Sequence, residues 1–136
     1  MINIKGRYVK NNDAKSPYIG VQKLIILDEE VNMKDPYLMD TGCDYDVAIS
    51  EIFVSQATKA KLLLSHKGTI EHSPDGREDK LLTYGEIVLN KNYSKKVLIG
   101  ILLNDSFEGE KIIGIGVIND FVSTLDPFED KITLVR

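Results

Sequence analysis

The feature that most constrains this chain is its punctuation. Runs of β-forming residues recur, and turn-prone or polar residues close each before it reaches the length of a stable helix. Residues 4–9 form one such run, and residues 18–27 a longer one that ends in the acidic Asp28-Glu29-Glu30. Residues 36–39 lead straight into Asp40. Residues 81–89 and 97–103 flank the polar stretch NKNYSKK, and EHSPDGRED forms a polar tip with the turn dipeptide Asp75-Gly76. Lys111–Ile113 runs into Gly114 and Gly116, with a helical turn expected through Phe121. STLDPFEDKITLV then closes the chain as a hairpin bent at Pro127. Only residues 50–64 change period: Ile52, Phe53, Ala57, Ala60 and Leu64 suit a short amphipathic helix with Ser50 near its N-cap. The pattern predicts an all-β barrel-like or sandwich core with one or two short helices, in one domain over residues 1–136.

Composition narrows the function classes. Apolar residues make up 43% and charged residues 28%, as in a folded soluble chain rather than a disordered one. The net charge is −4 with Lys and Arg scattered, so no nucleic-acid partner is expected. No apolar stretch approaches the roughly 18 residues of a membrane span, and MINIKGRYVK has no apolar signal region. Cys43 is the single cysteine, which excludes an intrachain disulfide and fits a reducing, cytoplasmic setting.

One segment carries chemistry. YLMDTGCDYDVAIS places three acids in seven residues, beginning where an apolar strand stops on Asp40. In Asp40-Thr41-Gly42 the carboxylate sits at a strand end, Thr41 offers a hydroxyl, and Gly42 lets the backbone turn closely with its N–H near the carboxylate. One such aspartate is only an ion. Two brought together share a proton, because like charges a few ångströms apart do not both ionise. One member then takes a proton from water while the other hydrogen-bonds a scissile carbonyl.

LMDTGCDYDVAIS, LLTYGEIVLNKNYSKKVLIGILLND and KIIGIGVINDFVSTLDPFEDKITL resemble, in order, three segments of the single-domain retropepsin-like aspartic proteases. These are the apolar-apolar-Asp-Thr-Gly segment running on to an apolar-Ser pair (here Ile49-Ser50), the strands after the flap, and the apolar-apolar-Gly signature with its closing hairpin. The resemblance implies a retropepsin-like acid-protease barrel that acts as a symmetric homodimer on a peptide or protein substrate. Each chain would supply one Asp40, with Thr41 and Gly42 completing the catalytic motif. It further implies that Thr41 interlocks with its mate, that Asp44 bonds the substrate backbone, and that the loop around Asp75 and Gly76 is the flap over the substrate. Gly114 would let its strand pass close to the catalytic loop. No cofactor and no metal is implied. Three departures stand out: Cys43 replaces the usual Ala or Ser, Ile115 and Gly116 replace the acid or Arg that follows the second signature's glycine, and the flap lacks a glycine-rich tip.

Other readings compete with this one. Asp40 alone reads as a strand-end turn. A Cys43 thiol nucleophile would need His66 or His72 as its base, and Cys43 otherwise reads as a small buried filler. Asp40, Asp44, Asp46 and Glu51 follow calcium-loop spacing, but Tyr45 stands at the glycine position and no helix precedes. Asp44-Tyr45-Asp46 looks like a phosphatase-type pair without a βαβ pattern, and GIGVIN has Asn119 where a dinucleotide fingerprint has its third glycine. Asp46, Glu78, Asp79 and Glu108 read as solvated acids, and His66 and His72 as solvated loop residues. Two functional rivals remain: a peptide-binding or dimerisation module on the same fold without turnover, and a dimer that processes only itself.

Overall fold

The computed structural model describes residues 2–11, 14–31, 36–103 and 109–136; Glu108 lies outside them. The chain begins with β1 (Asn3–Asn11), β2 (Ala14–Ile19), β3 (Lys23–Ile26), β4 (Glu29–Glu30), β5 (Tyr37–Met39) and β6 (Val47–Ser50). A 3-10 turn over Glu51–Phe53 leads into α1 (Gln56–Leu64). Then come β7 (Gly68–Glu71), β8 (Lys80–Asn90), β9 (Tyr93–Leu102), β10 (Lys111–Ile113), α2 (Ile115–Ile118), β11 (Val122–Asp126) and β12 (Lys131–Val135). All the described strands join one sheet in the order β11-β12-β1-β2-β5-β10-β6-β9-β8-β3-β4, with β7 also on β8.

Alternation sets the core face. β12 buries Ile132 and Leu134, and β8 buries Leu81, Thr83, Ile87 and Leu89. β6 is buried at every position and is paired with β10 and β9 at its two edges, a central seat that suits its β-branched Val47 and Ile49. Burying such a Val or Ile side chain stabilises the fold by roughly 1.5–3 kcal/mol.

The structure corrects several boundaries. The expected strand over residues 18–27 is two strands, broken at Gly20-Val21-Gln22 where the chain leaves β2 for β3. The turn after it is Leu27-Asp28, at φ 50° and 62°, and Glu29-Glu30 form β4 instead. Two successive positive φ values match the mirror-type turn whose twist suits a tight hairpin. NKNYSKK is mostly strand: Lys91-Asn92 make the turn and Tyr93 begins β9. The helix expected over residues 50–64 is split. Ser50 caps the 3-10 turn by accepting the Ile52 N–H at 3.4 Å, and Ser55 caps α1 by accepting the Thr58 N–H at 3.1 Å. Past the Ser65 C-cap of α1, His66 adopts φ 57°, with Lys67 N–H donating to Leu62 O at 3.1 Å and His66 N–H to Leu63 O at 3.4 Å. That is a Schellman-type stop with histidine in the seat that glycine usually takes.

Candidate active site

The site is built where β5 ends. Tyr37 and Met39 of β5 point into the core, and Asp40 follows, half-buried. β10 lies between β5 and β6. It runs parallel to β5 (Ile112 opposite Leu38, Ile113 opposite Met39) and antiparallel to β6 (Ile113 opposite Val47). The loop over residues 40–46 joins the two strands that straddle β10, so both of its ends are tied to one strand.

Backbone donors fix Asp40. Its N–H donates to Ile113 O at 2.9 Å, extending the β5–β10 pairing by one residue. Gly42 N–H donates to Asp40 Oδ1 at 2.9 Å, and Cys43 N–H donates to Asp40 O at 3.2 Å. A Cβ at Gly42 would stand 3.2 Å from Asp40 Oδ1, so glycine is what allows this clasp without crowding. Thr41 and Asp44 are exposed.

Two glycines after β10 seat the loop. Gly114 N–H donates to Asp46 O at 2.9 Å. A Cβ on Gly114 would lie 1.8 Å from Tyr45 O, a contact that no side chain tolerates. A Cβ on Gly116 would meet Asp46 Oδ1 at 1.7 Å. Asp46 is therefore not a solvated acid: its carboxylate is wedged against α2, and Oδ2 accepts the Leu98 N–H of β9 at 2.8 Å. Sequence spacing gives no sign of this role, because the partner lies 52 residues away.

The Asp75-Gly76 loop is separate from this cluster. β7 pairs with β8 from Gly68↔Thr83 to Glu71↔Lys80, and residues 72–79 close the hairpin. Ser73 Oγ donates to Asp75 Oδ1 at 2.8 Å, Arg77 N–H donates to the same oxygen at 3.1 Å, and Gly76 adopts φ 69°. The Arg77 N–H and the Ser73 hydroxyl hold the Asp75 carboxyl below the usual range. Asp79 is not plainly solvated either. Its Oδ1 is buried, and the near neighbour, His72 Nδ1 at 3.1 Å, is a donor only when that nitrogen carries a proton. The hairpin meets the Asp40 loop through Tyr45, whose hydroxyl donates to Glu71 Oε1 at 2.9 Å. No sequence motif marks Tyr45 and Glu71 as partners.

The geometry disfavours a Cys43 nucleophile. Burial pushes the Cys43 thiol up and the Asp40 and Asp44 carboxylates push it further, against a hydrogen bond from the Tyr45 backbone and the charge of Lys80. A thiol held protonated is the reverse of an activated nucleophile. Among the described residues, no group of three or more His, Cys, Asp or Glu is placed to hold a metal ion, and no helix is long and apolar enough to cross a membrane.

The all-β fold, with its strand-end aspartate on a loop that straddles a third strand, is similar to the retropepsin-like fold. The likeness extends over the whole chain: it superposes on the crystal structure of a retropepsin-like aspartic protease from Rickettsia conorii with a TM-score of 0.57, covering 98% of this chain and 89% of that one at 15% identity. At that identity the likeness speaks for the fold alone. No family model and no curated sequence matches the chain.

Proposed function

We propose that the chain is an aspartic endopeptidase that works as a symmetric homodimer. The observation that carries this reading is the Asp40 carboxylate, clasped by the Gly42 N–H at 2.9 Å on a loop whose ends both bind β10. A carboxylate held in place by its own backbone is the kind of preorganised acid that water activation needs. The retropepsin-like fold supports the same reading. One chain contributes one such carboxylate, and a two-fold axis beside Asp40 brings the second. The pair shares one proton. Its ionised member takes a proton from water, and its protonated member hydrogen-bonds the peptide carbonyl, so no covalent intermediate forms. Thr41, exposed beside Asp40, meets its mate across the axis. Asp44 contacts the substrate backbone, the loop carrying Asp75 and Gly76 covers the substrate, and Gly114 seats the catalytic loop.

The test is peptide-library cleavage across acid pH by the parent and by Asp40→Asn. The variant is expected to lose cleavage while keeping its fold by circular dichroism and its oligomeric state. Equal cleavage by both would refute the assignment.

A further inference from the structure

Tyr45 does more than link residues along the loop. Its ring lies on β9 at Gly100, where an added Cβ would stand 3.0 Å from the ring edge. Its hydroxyl donates to Glu71 Oε1 at 2.9 Å, and the Lys80 ammonium sits 5.3 Å from the ring centroid, in reach of a cation–π contact. Glu71 ends β7, Lys80 begins β8, and the two are register partners. One side chain from the Asp40 loop therefore holds both strands of the hairpin at the point where residues 72–79 leave the sheet. The same residue's carbonyl abuts Gly114, so Tyr45 joins the floor of the site to the hairpin. Burial, and then the Glu71 carboxylate, push the phenol up to about 12, so it stays a donor throughout the acid and neutral range.

We propose that Tyr45 is a positioning residue: through Glu71 and Lys80 it fixes the 72–79 hairpin relative to Asp40, and substrate capture depends on that tie. This inference rests on the endopeptidase reading for its kinetic consequence, but not for the tie itself. Tyr45→Phe keeps the ring against Gly100 and Lys80 and removes only the hydroxyl. Glu71→Ala removes the acceptor, and Glu71→Gln keeps one.

The experiment combines amide hydrogen exchange on the intact protein with steady-state cleavage of one peptide. Tyr45→Phe and Glu71→Ala are each expected to speed exchange over residues 71–80 about fivefold, the size expected of one net hydrogen bond. Core strands β6 and β9 should stay unchanged. The double variant should add nothing further, because both remove the same bond. KM should rise about fivefold with kcat held within about twofold, and Glu71→Gln should recover most of the loss. Unchanged exchange in both single variants overturns the proposal, and so does a loss confined to kcat. A parent that cleaves no peptide sinks the endopeptidase reading instead, and the exchange data then decide on their own whether Tyr45 holds the hairpin.

Discussion

Replacing Gly114 with alanine tests whether the seat beneath the Asp40 loop is as tight as it looks. The added methyl would lie 1.8 Å from Tyr45 O, 3.0 Å from Tyr45 C and 3.1 Å from Cys43 O. All three obstacles are backbone atoms, so no rotamer change relieves them. A relaxed carbon–oxygen contact needs more than an ångström of extra separation, and either β10 or the loop must move by that much. The move pulls on the Gly114–Asp46 and Asp40–Ile113 hydrogen bonds, both 2.9 Å. Overpacking of this kind costs about 1–3 kcal/mol, and each of the two strained hydrogen bonds about 1 kcal/mol more, so a loss of about 3–5 kcal/mol is expected. In a chain of this size that lowers Tm by roughly 10–18 °C. On the endopeptidase reading, an ångström of displacement at the Asp40 loop should also cut kcat/KM about 100-fold. Gly20→Ala is the matched control, since a Cβ there meets nothing within 4 Å. Thermal unfolding at fixed protein concentration and peptide cleavage read both quantities. If Gly114→Ala stayed within about 0.5 kcal/mol of the parent with equal kcat/KM, the reasoning from close approach would be wrong, since that is the scatter of harmless surface changes.

Three further outcomes follow from local geometry. His66→Gly should stabilise the protein by about 0.5–1 kcal/mol, measured by urea midpoint, because glycine takes the left-handed seat after α1 without a Cβ penalty. Asp46→Ala should destabilise by about 1–3 kcal/mol by orphaning the Leu98 N–H, while Asp46→Asn, which keeps an acceptor, should lose less. At alkaline pH, burial holds Tyr37 and Tyr93 protonated well above the usual phenol range and Tyr45 up to about 12. Raised folded values mean that their stabilisation is whole below about pH 10, where a free phenol is neutral, and drains away as pH climbs toward the folded values. The fully buried Tyr37 alone should contribute a slope of up to about 1.4 kcal/mol per pH unit, and Tyr37→Phe should flatten the fall.

Much of the frame was legible because it is local. Asp40-Thr41-Gly42 at a strand end, the loop around Asp75-Gly76 and the closing hairpin at Pro127 all announce themselves through turn chemistry within a few residues. What the reading missed depends on partners far along the chain. Ser94, Lys95 and Lys96 look like loop, yet Tyr93 and Val97 bury on one face of β9 while Lys95 reaches Asp120 at 3.0 Å. Asp46 looks solvated until β9 and Gly116 close around it. His66 hides the end of α1, because helix stops are usually sought at glycine or asparagine. The tie between Tyr45 and Glu71 spans 26 residues and belongs to no short motif.

The central claim is that one active site takes a carboxylate from each of two chains. Mixing parent with Asp40→Asn at a constant total concentration, high enough to saturate association, tests it directly. After subunits have exchanged, an equal mixture should retain about a quarter of the parent's activity, because only parent–parent dimers hold two carboxylates. Half the activity would mean that each chain works alone, and would contradict the account.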